Sequence, residues 1–321
     1  DRSACLLIEP TGTVDGADVD LVRIACRNRS LYVLGNSDLS MIDLVTGAQL
    51  KSLSVTSAPA GIASSPRSDF VLVADSFGQV HAIDDRTRSL AVTINVGGVP
   101  TAIVADPTGR RAYVLDEAND MVRVIETADP DPRNWTVSAS IPVGDGPVAA
   151  YASSLRPHLY VVNRSAASVS VIHTVSLSVI RTYESIGIAP SQITGGAGDT
   201  VIHLLDSTAR TLIALDLATG EVTTWFLDGK PEALARSPDG LDIYLINSSL
   251  DTLSRFNPVT QSFATVAVGE SPLSIALSRL ATEAYVVDLS GSVGLTFVDL
   301  RTMQVSRRLP IGRLPLGIVV R

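Results

Sequence analysis

Six side chains able to hold a cation or move a proton recur at one place in a repeated pattern. Asp75, Asp116, Asp206 and Asp288, with Asn163 and Asn247, each close a short apolar run. Carboxylate and amide oxygens are calcium ligands, at about 2.3–2.6 Å from the ion. One such residue per repeat, however, spreads them around the molecule, too far apart to share an ion. The same residue types at the start of a tight turn accept hydrogen bonds from backbone N–H groups two or three residues on. Turn capping is therefore the reading, and replacing Asp116 or Asp288 with alanine is expected to cost about 1 kcal/mol of stability rather than an activity. Two further acidic groups, Asp15, Asp18 and Asp20, and Asp129 and Asp131, lack the glycine and distal glutamate of an EF-hand loop. No metal is expected.

The histidines offer no catalytic or ligand set. His173 stands where other repeats carry an acid, His203 where they carry a tyrosine, and His81 and His158 fall in different repeats. There is no His-x-x-x-His, no Cys/His spacing, no Gly-x-Ser-x-Gly elbow and no phosphate loop. No cofactor is expected, and the reading leans away from an enzyme. Cys5 and Cys26 are the only cysteines. Two make neither a four-ligand metal site nor a disulfide scaffold. They are either two buried thiols or one disulfide tying the N-terminal segment to the first repeat, and the disulfide is the expectation carried forward.

The elements that position these residues follow from composition and period. In 321 residues, apolar types make up 45%, charged types 18% and aromatics 5%, with 23 Gly and 17 Pro spread along the chain. That excludes a disordered chain and favours many short strands joined by frequent turns. No apolar run approaches the roughly 20 residues of a membrane span, so no membrane insertion by this segment is expected. A net charge of -8 and the absence of a basic cluster disfavour nucleic acid as a partner.

A motif of apolar residues ending in Asp or Asn recurs as Tyr113-Val-Leu-Asp116, Tyr160-Val-Val-Asn163, Tyr244-Leu-Ile-Asn247 and Tyr285-Val-Val-Asp288. Looser copies begin at Tyr32, Leu72 and His203, and successive copies start 40, 41, 47, 43, 41 and 41 residues apart. Each is followed by a second run ending in a polar residue, as in Met41-Ile-Asp43, Ala82-Ile-Asp84 and Phe297-Val-Asp299, most with Thr or Ser three residues on. A third marker, Gly-x-x-Pro, precedes the next run at Pro100, Pro147, Pro190, Pro272 and Pro315, with looser forms at Pro59 and Pro231. Pro suits the first residue of a strand, where it removes no ladder donor.

Each unit reads as strand A after Pro, strand B ending in Asp/Asn, strand C ending in Asp-x-x-Thr, then strand D. Seven four-stranded antiparallel units make an all-β, seven-bladed propeller, and ring closure removes the exposed apolar ends of an open solenoid. The expected organisation is a single monomeric domain over 1–321. Blades begin near Val19, Pro59, Pro100, Pro147, Pro190, Pro231 and Pro272, and termini 1–18 and 311–321 close the ring as a clasp.

These residues resemble the YVTN-type β-propeller repeat, named for a Tyr-Val-Thr-Asn segment ending its second strand. The nearest fragments are Tyr160-Val-Val-Asn163 and Tyr285-Val-Val-Asp288. The resemblance covers almost the whole chain and implies the fold. The family includes surface-layer and cell-envelope proteins, with relatives that are lactonase-like or are subunits of quinone-dependent dehydrogenases. The chain opens on Asp1 rather than Met, which fits removal of an upstream leader or anchor, and an extracytoplasmic location is expected.

Departures from the repeat point to function. The insert Ala128–Trp135 lengthens one C–D turn and carries Arg133 and Trp135, residue types common at protein contacts. The D–A loops carry Asp145, Lys230, Glu270 and Arg313, charges that strand packing does not require. The expectation is a non-catalytic binding or scaffold module, secreted or envelope-exposed, recognising a protein or small polar ligand on the face of the D–A and B–C loops. The alternatives are a lactonase- or lyase-like enzyme at the channel mouth, or a structural subunit of a redox complex.

Overall fold

The computed structural model describes residues 30–64, 67–278, 280–289, 294–310 and 315–320. Val19, Cys5, Cys26, Arg313 and the 1–18 segment lie outside the described residues. The strand B motif explains the architecture. In Phe70–Asp75 every residue is buried, because alternate side chains enter different cores. Phe70, Leu72 and Ala74 pack with Ile103, Val114 and Trp135 on one side, while Val71 and Val73 pack with Tyr32, Leu34 and Met41 on the other. A strand covered on both faces reads as a continuous apolar run, whereas the outermost strands, such as Ser178–Tyr183, are mostly exposed.

Among the described residues, twenty-eight strands form seven four-stranded sheets. Each is antiparallel in the order A-B-C-D, as in Pro100–Ala105, Arg111–Asp116, Met121–Glu126 and Thr136–Pro142 of blade three. The A strands touch in succession around the ring, and the last touches the first. The protein is thus a seven-bladed propeller. Apart from two 3-10 turns, Pro132–Asn134 and Ala197–Asp199, the described residues contain no helix.

The ring closes by a clasp. Pro315–Val320 pairs antiparallel with Ser30–Gly35 and supplies strand A of blade one, whose B, C and D strands come from near the other end of the chain. Strand A begins at Pro59, Pro100, Pro147, Pro231 and Pro272 in blades two, three, four, six and seven. In each of these the Pro lies opposite the Asp or Asn that ends strand B, followed by a register shift. In blade five the strand is shorter, Gln192–Gly195, and starts two residues beyond Pro190.

The C–D turns carry the expected chemistry. Asp84 Oδ1 accepts from the N–H of Arg86 and Thr87, Asp216 from Ala218 and Thr219, Asn257 from Val259 and Thr260, and Asp299 from Arg301 and Thr302. His173 does the same through Nδ1, which accepts from Ser176 N–H at 3.2 Å. Blade three differs: Glu126 turns instead to Arg111 and Ser138, at 2.7 and 2.9 Å, and its turn holds the insert.

Candidate functional site

The residues ending strand B are consumed by the scaffold. The Asp116 carboxylate is fully buried and accepts from Val99 N–H at 3.1 Å, from the Asn119 amide at 2.9 Å and from the Arg123 guanidinium at 2.7 Å. Asp206 accepts from Ile188 and Ala189 N–H at 2.7 and 2.8 Å, and Asn247 from Lys230 N–H at 3.0 Å. Each thus ties its own B–C hairpin to the preceding D–A loop. This explains the marker glycine of blade seven, where a Cβ at Gly269 would stand 1.8 Å from Asp288 Oδ2. In blade three the same 1.8 Å from Asp116 Oδ2 is met at Gly98, the residue after the marker glycine.

A second partner for these residues sits at the third position of strand C. His81 Nε2 lies 2.8 Å from Asp75 Oδ2, Arg123 bonds Asp116, and Ser170 bonds Asn163 at 2.9 Å. In blade two the contact continues from His81 Nδ1 to Thr93 Oγ1 at 3.1 Å. Thr93–His81–Asp75 has the order of an activated nucleophile. The equivalent positions of the next two blades hold an ion pair and an amide–hydroxyl pair, so the arrangement seals strand B to strand C. Burial raises the Asp75 carboxyl, but bonds from His81, Gln79, Thr56 and Phe77 outweigh it and hold the group below its ordinary value.

The structure does not gather the D–A loop charges. Asp145, Lys230 and Glu270 are exposed at three different blade junctions, and no hydrogen bond or ion pair joins any two of them. The Lys230 ammonium is met by Glu232 at 2.6 Å. On the insert, Arg133 is exposed and paired with Asp131 at 2.7 Å. Trp135 is buried: its indole N–H donates to Asp129 O at 2.8 Å, and its ring meets Phe70 edge-on at 5.0 Å. The tryptophan fastens the insert to blade two, leaving Arg133 as the surface residue of the pair.

A cavity of about 1130 Å³ opens on the opposite rim, where the A–B and C–D turns of blades two, three and four lie side by side. Arg67, Arg86, Arg110, Arg111 and Arg156 line it, together with Asp69, Asp106, Glu126 and Asp129. The acids are internally engaged. Asp69 lies 3.6 Å from Arg86, Glu126 takes Arg111, and Asp106 and Asp129 cap their own turns through Thr108 and Asp131 N–H. Arg110 and Arg156 are exposed and form no ion pair with a described residue. In a chain of net charge -8, the cavity thus gathers five guanidinium groups against four carboxylates.

At the cavity wall the Tyr113 ring is buried, and its hydroxyl, beside the Arg111 guanidinium, makes no hydrogen bond of ordinary geometry with a described residue. Burial first, then the Asp106 charge, pushes that phenol up to about 12, against the pull of Arg111. His158 also lines the cavity, with Nδ1 3.3 Å from the Tyr160 hydroxyl. Burial, and then the neighbouring His173 and Arg156, hold His158 below its ordinary value, so it is neutral at pH 7.

A buried polar network laces blades four, five and six. The Asp199 carboxylate is fully buried and accepts from the Tyr151 hydroxyl at 2.8 Å and from the Ser153 hydroxyl. Arg236 reaches across from blade six to the Tyr151 oxygen at 3.1 Å. Beside it, burial holds His203 down to about 4, a neutral side chain filling the tyrosine position of its repeat.

No protein-family model matches the chain, and no curated protein matches it by sequence. Solved structures match its shape. Hydrazine synthase of Kuenenia stuttgartiensis aligns at a TM-score of 0.74 and 18% identity, over 90% of this chain and 99% of that one. A candidate 6-phosphogluconolactonase of Bacteroides fragilis aligns at 0.72 and 14%, over 91% and 97%. The dihydro-heme d1 dehydrogenase NirN, in complex with DHE, aligns at 0.67 and 12%, over 91% and 75%. At these identities the likeness is one of fold.

Proposed function

We propose that this propeller is a non-catalytic recognition or scaffold module of the YVTN-type repeat family. It acts outside the cytoplasm and receives a protein segment or polar ligand in the rim cavity of blades two to four. The observation that carries the reading is the cavity itself, which joins ample volume to two guanidinium groups that form no ion pair among the described residues. Loops held on a rigid scaffold are where recognition concentrates, and arginine is favoured at such contacts. Arg133 on the insert extends the same surface. The exposed Asp145, Lys230 and Glu270 make the competing surface on the other rim.

A thermal-shift screen of polar ligands separates the two rims. A ligand that raises the melting temperature of the wild type is expected to lose its effect on the Arg110→Gln/Arg156→Gln variant. It should keep its effect on the variant neutralised at Asp145, Lys230, Glu270 and Arg313. The reverse pattern would move recognition to the D–A rim.

A second reading, a structural subunit of a redox complex, draws support from the names of two of the shape neighbours, a hydrazine synthase and a heme d1 dehydrogenase. It requires a partner carrying the cofactor. Visible-region absorption that co-purifies with the native complex and is absent from the isolated chain would favour it.

A further inference from the structure

We propose that the rim cavity binds a ligand through carboxylate groups, held by the guanidinium groups of Arg110 and Arg156 and by the buried hydroxyl of Tyr113. The inference rests on the cavity being the recognition surface and adds the chemical class of what enters it.

Two observations converge. Arg110 and Arg156 belong to the A–B turns of adjacent blades, line one cavity and lack anionic partners among the described residues. A guanidinium is a planar fork of donors that matches the two oxygens of a carboxylate. Placing two forks on separate blades suits a ligand with more than one carboxylate better than a single compact ion. Tyr113 supplies the second, independent observation. Its side chain is fully buried and lines the cavity, yet its hydroxyl makes no hydrogen bond of ordinary geometry among the described residues. A buried hydroxyl left unsatisfied destabilises the fold, and a ligand oxygen placed there would recover that loss.

Arg111 is already held by Glu126 and by the carbonyl of Thr174, so the ligand carboxylates are left to Arg110 and Arg156. His158 is neutral at pH 7 and is available as a hydrogen-bonding group rather than a charge. Carboxylates of this kind come from two sources, a free polycarboxylic acid or the side chains of an acidic protein segment, and the cavity volume admits either.

Calorimetric titration with tricarballylate, with a tetraglutamate peptide and with inorganic phosphate tests the assignment. One of the two carboxylate probes is expected to bind. The tighter one identifies the source. Arg110→Gln and Arg156→Gln should each weaken it about tenfold, as loss of one charge-assisted hydrogen bond does. Both substitutions are at exposed side chains and should leave melting unchanged. Tyr113→Phe should weaken binding while melting at or above the wild-type temperature without ligand, because it removes an unsatisfied hydroxyl. A structural role for that hydroxyl would instead lower the melting temperature and leave binding intact, which overturns the assignment of Tyr113. No binding of either carboxylate at millimolar concentration, or phosphate binding more tightly than both, overturns the carboxylate class. Should the screen still place its stabilising ligand at Arg110 and Arg156, the cavity reading survives that loss.

Discussion

Asp116→Ala is expected to lower the unfolding free energy by about 3–4 kcal/mol, several times the cost of a lost turn cap. The carboxylate does more than cap. It closes a D–A loop through Val99, braces its own hairpin through Asn119 and neutralises Arg123, whose side chain is only 19% exposed. Removing it strands that guanidinium beside the core. Burial raises the Asp116 carboxyl, but the Val99, Arg123 and Asn119 bonds and the Arg123 charge together hold it below its ordinary value. The sign follows from linkage. The folded protein binds the proton less readily than the unfolded chain, whose carboxyl titrates near 3.9. Its stabilisation is complete above that value and is lost as pH falls through the folded value. Urea unfolding at pH 7 and at pH 3 should show the gap between wild type and Asp116→Ala shrinking at the lower pH. An equal gap at both would remove the ion pair from the account.

Asp199→Ala carries the second large penalty, about 3 kcal/mol. The carboxylate is the shared acceptor of Tyr151 and Ser153 from the neighbouring blade, and Arg236 reaches the same tyrosine from the blade beyond. The residue also sits at φ 49°, a left-handed conformation that Asp and Asn tolerate better than alanine. Asp199→Asn keeps the conformation and two oxygen- and nitrogen-bearing arms, and should cost roughly a third as much. Thermal melting of the two variants measures the contrast. Equal losses would mean that charge, rather than the network and backbone together, holds the three blades.

The fold was legible because the blade imposes the same demands seven times. Strand B must be apolar on both faces, as Phe70–Asp75 is, and its end must cap two loops at once, as Asp116 does. Pro must open strand A opposite that cap. These requirements leave a period that survives substitution of individual residues. The Arg123–Asp116 and His81–Asp75 contacts follow the same repeat, and the changing residue at the third position of strand C was their signal.

The cavity was not legible, because no single repeat contains it. It arises where three successive blades set their A–B turns side by side, and turns are where the repeat dictates least. Its signal was arginine in that turn of three consecutive blades, at Arg67, Arg110 and Arg156, which the D–A charges overshadowed. Trp135, read as a contact residue from its type, is buried because the insert must be anchored, and its neighbour Phe70 lies on another blade. The Asp199 network was equally hidden: its members are distant in sequence and converge only in the closed ring.

The central claim is that recognition occurs in the rim cavity of blades two to four. Arginine-selective labelling with phenylglyoxal, read by peptide mass analysis with and without the strongest stabilising ligand, tests it directly. Arg110 and Arg156, exposed and without an ion pair among the described residues, should react readily in the free protein and be protected together in the complex, with Arg164 on the other rim labelled equally in both. Protection of Arg164 with continued labelling of Arg110 and Arg156 would contradict the account.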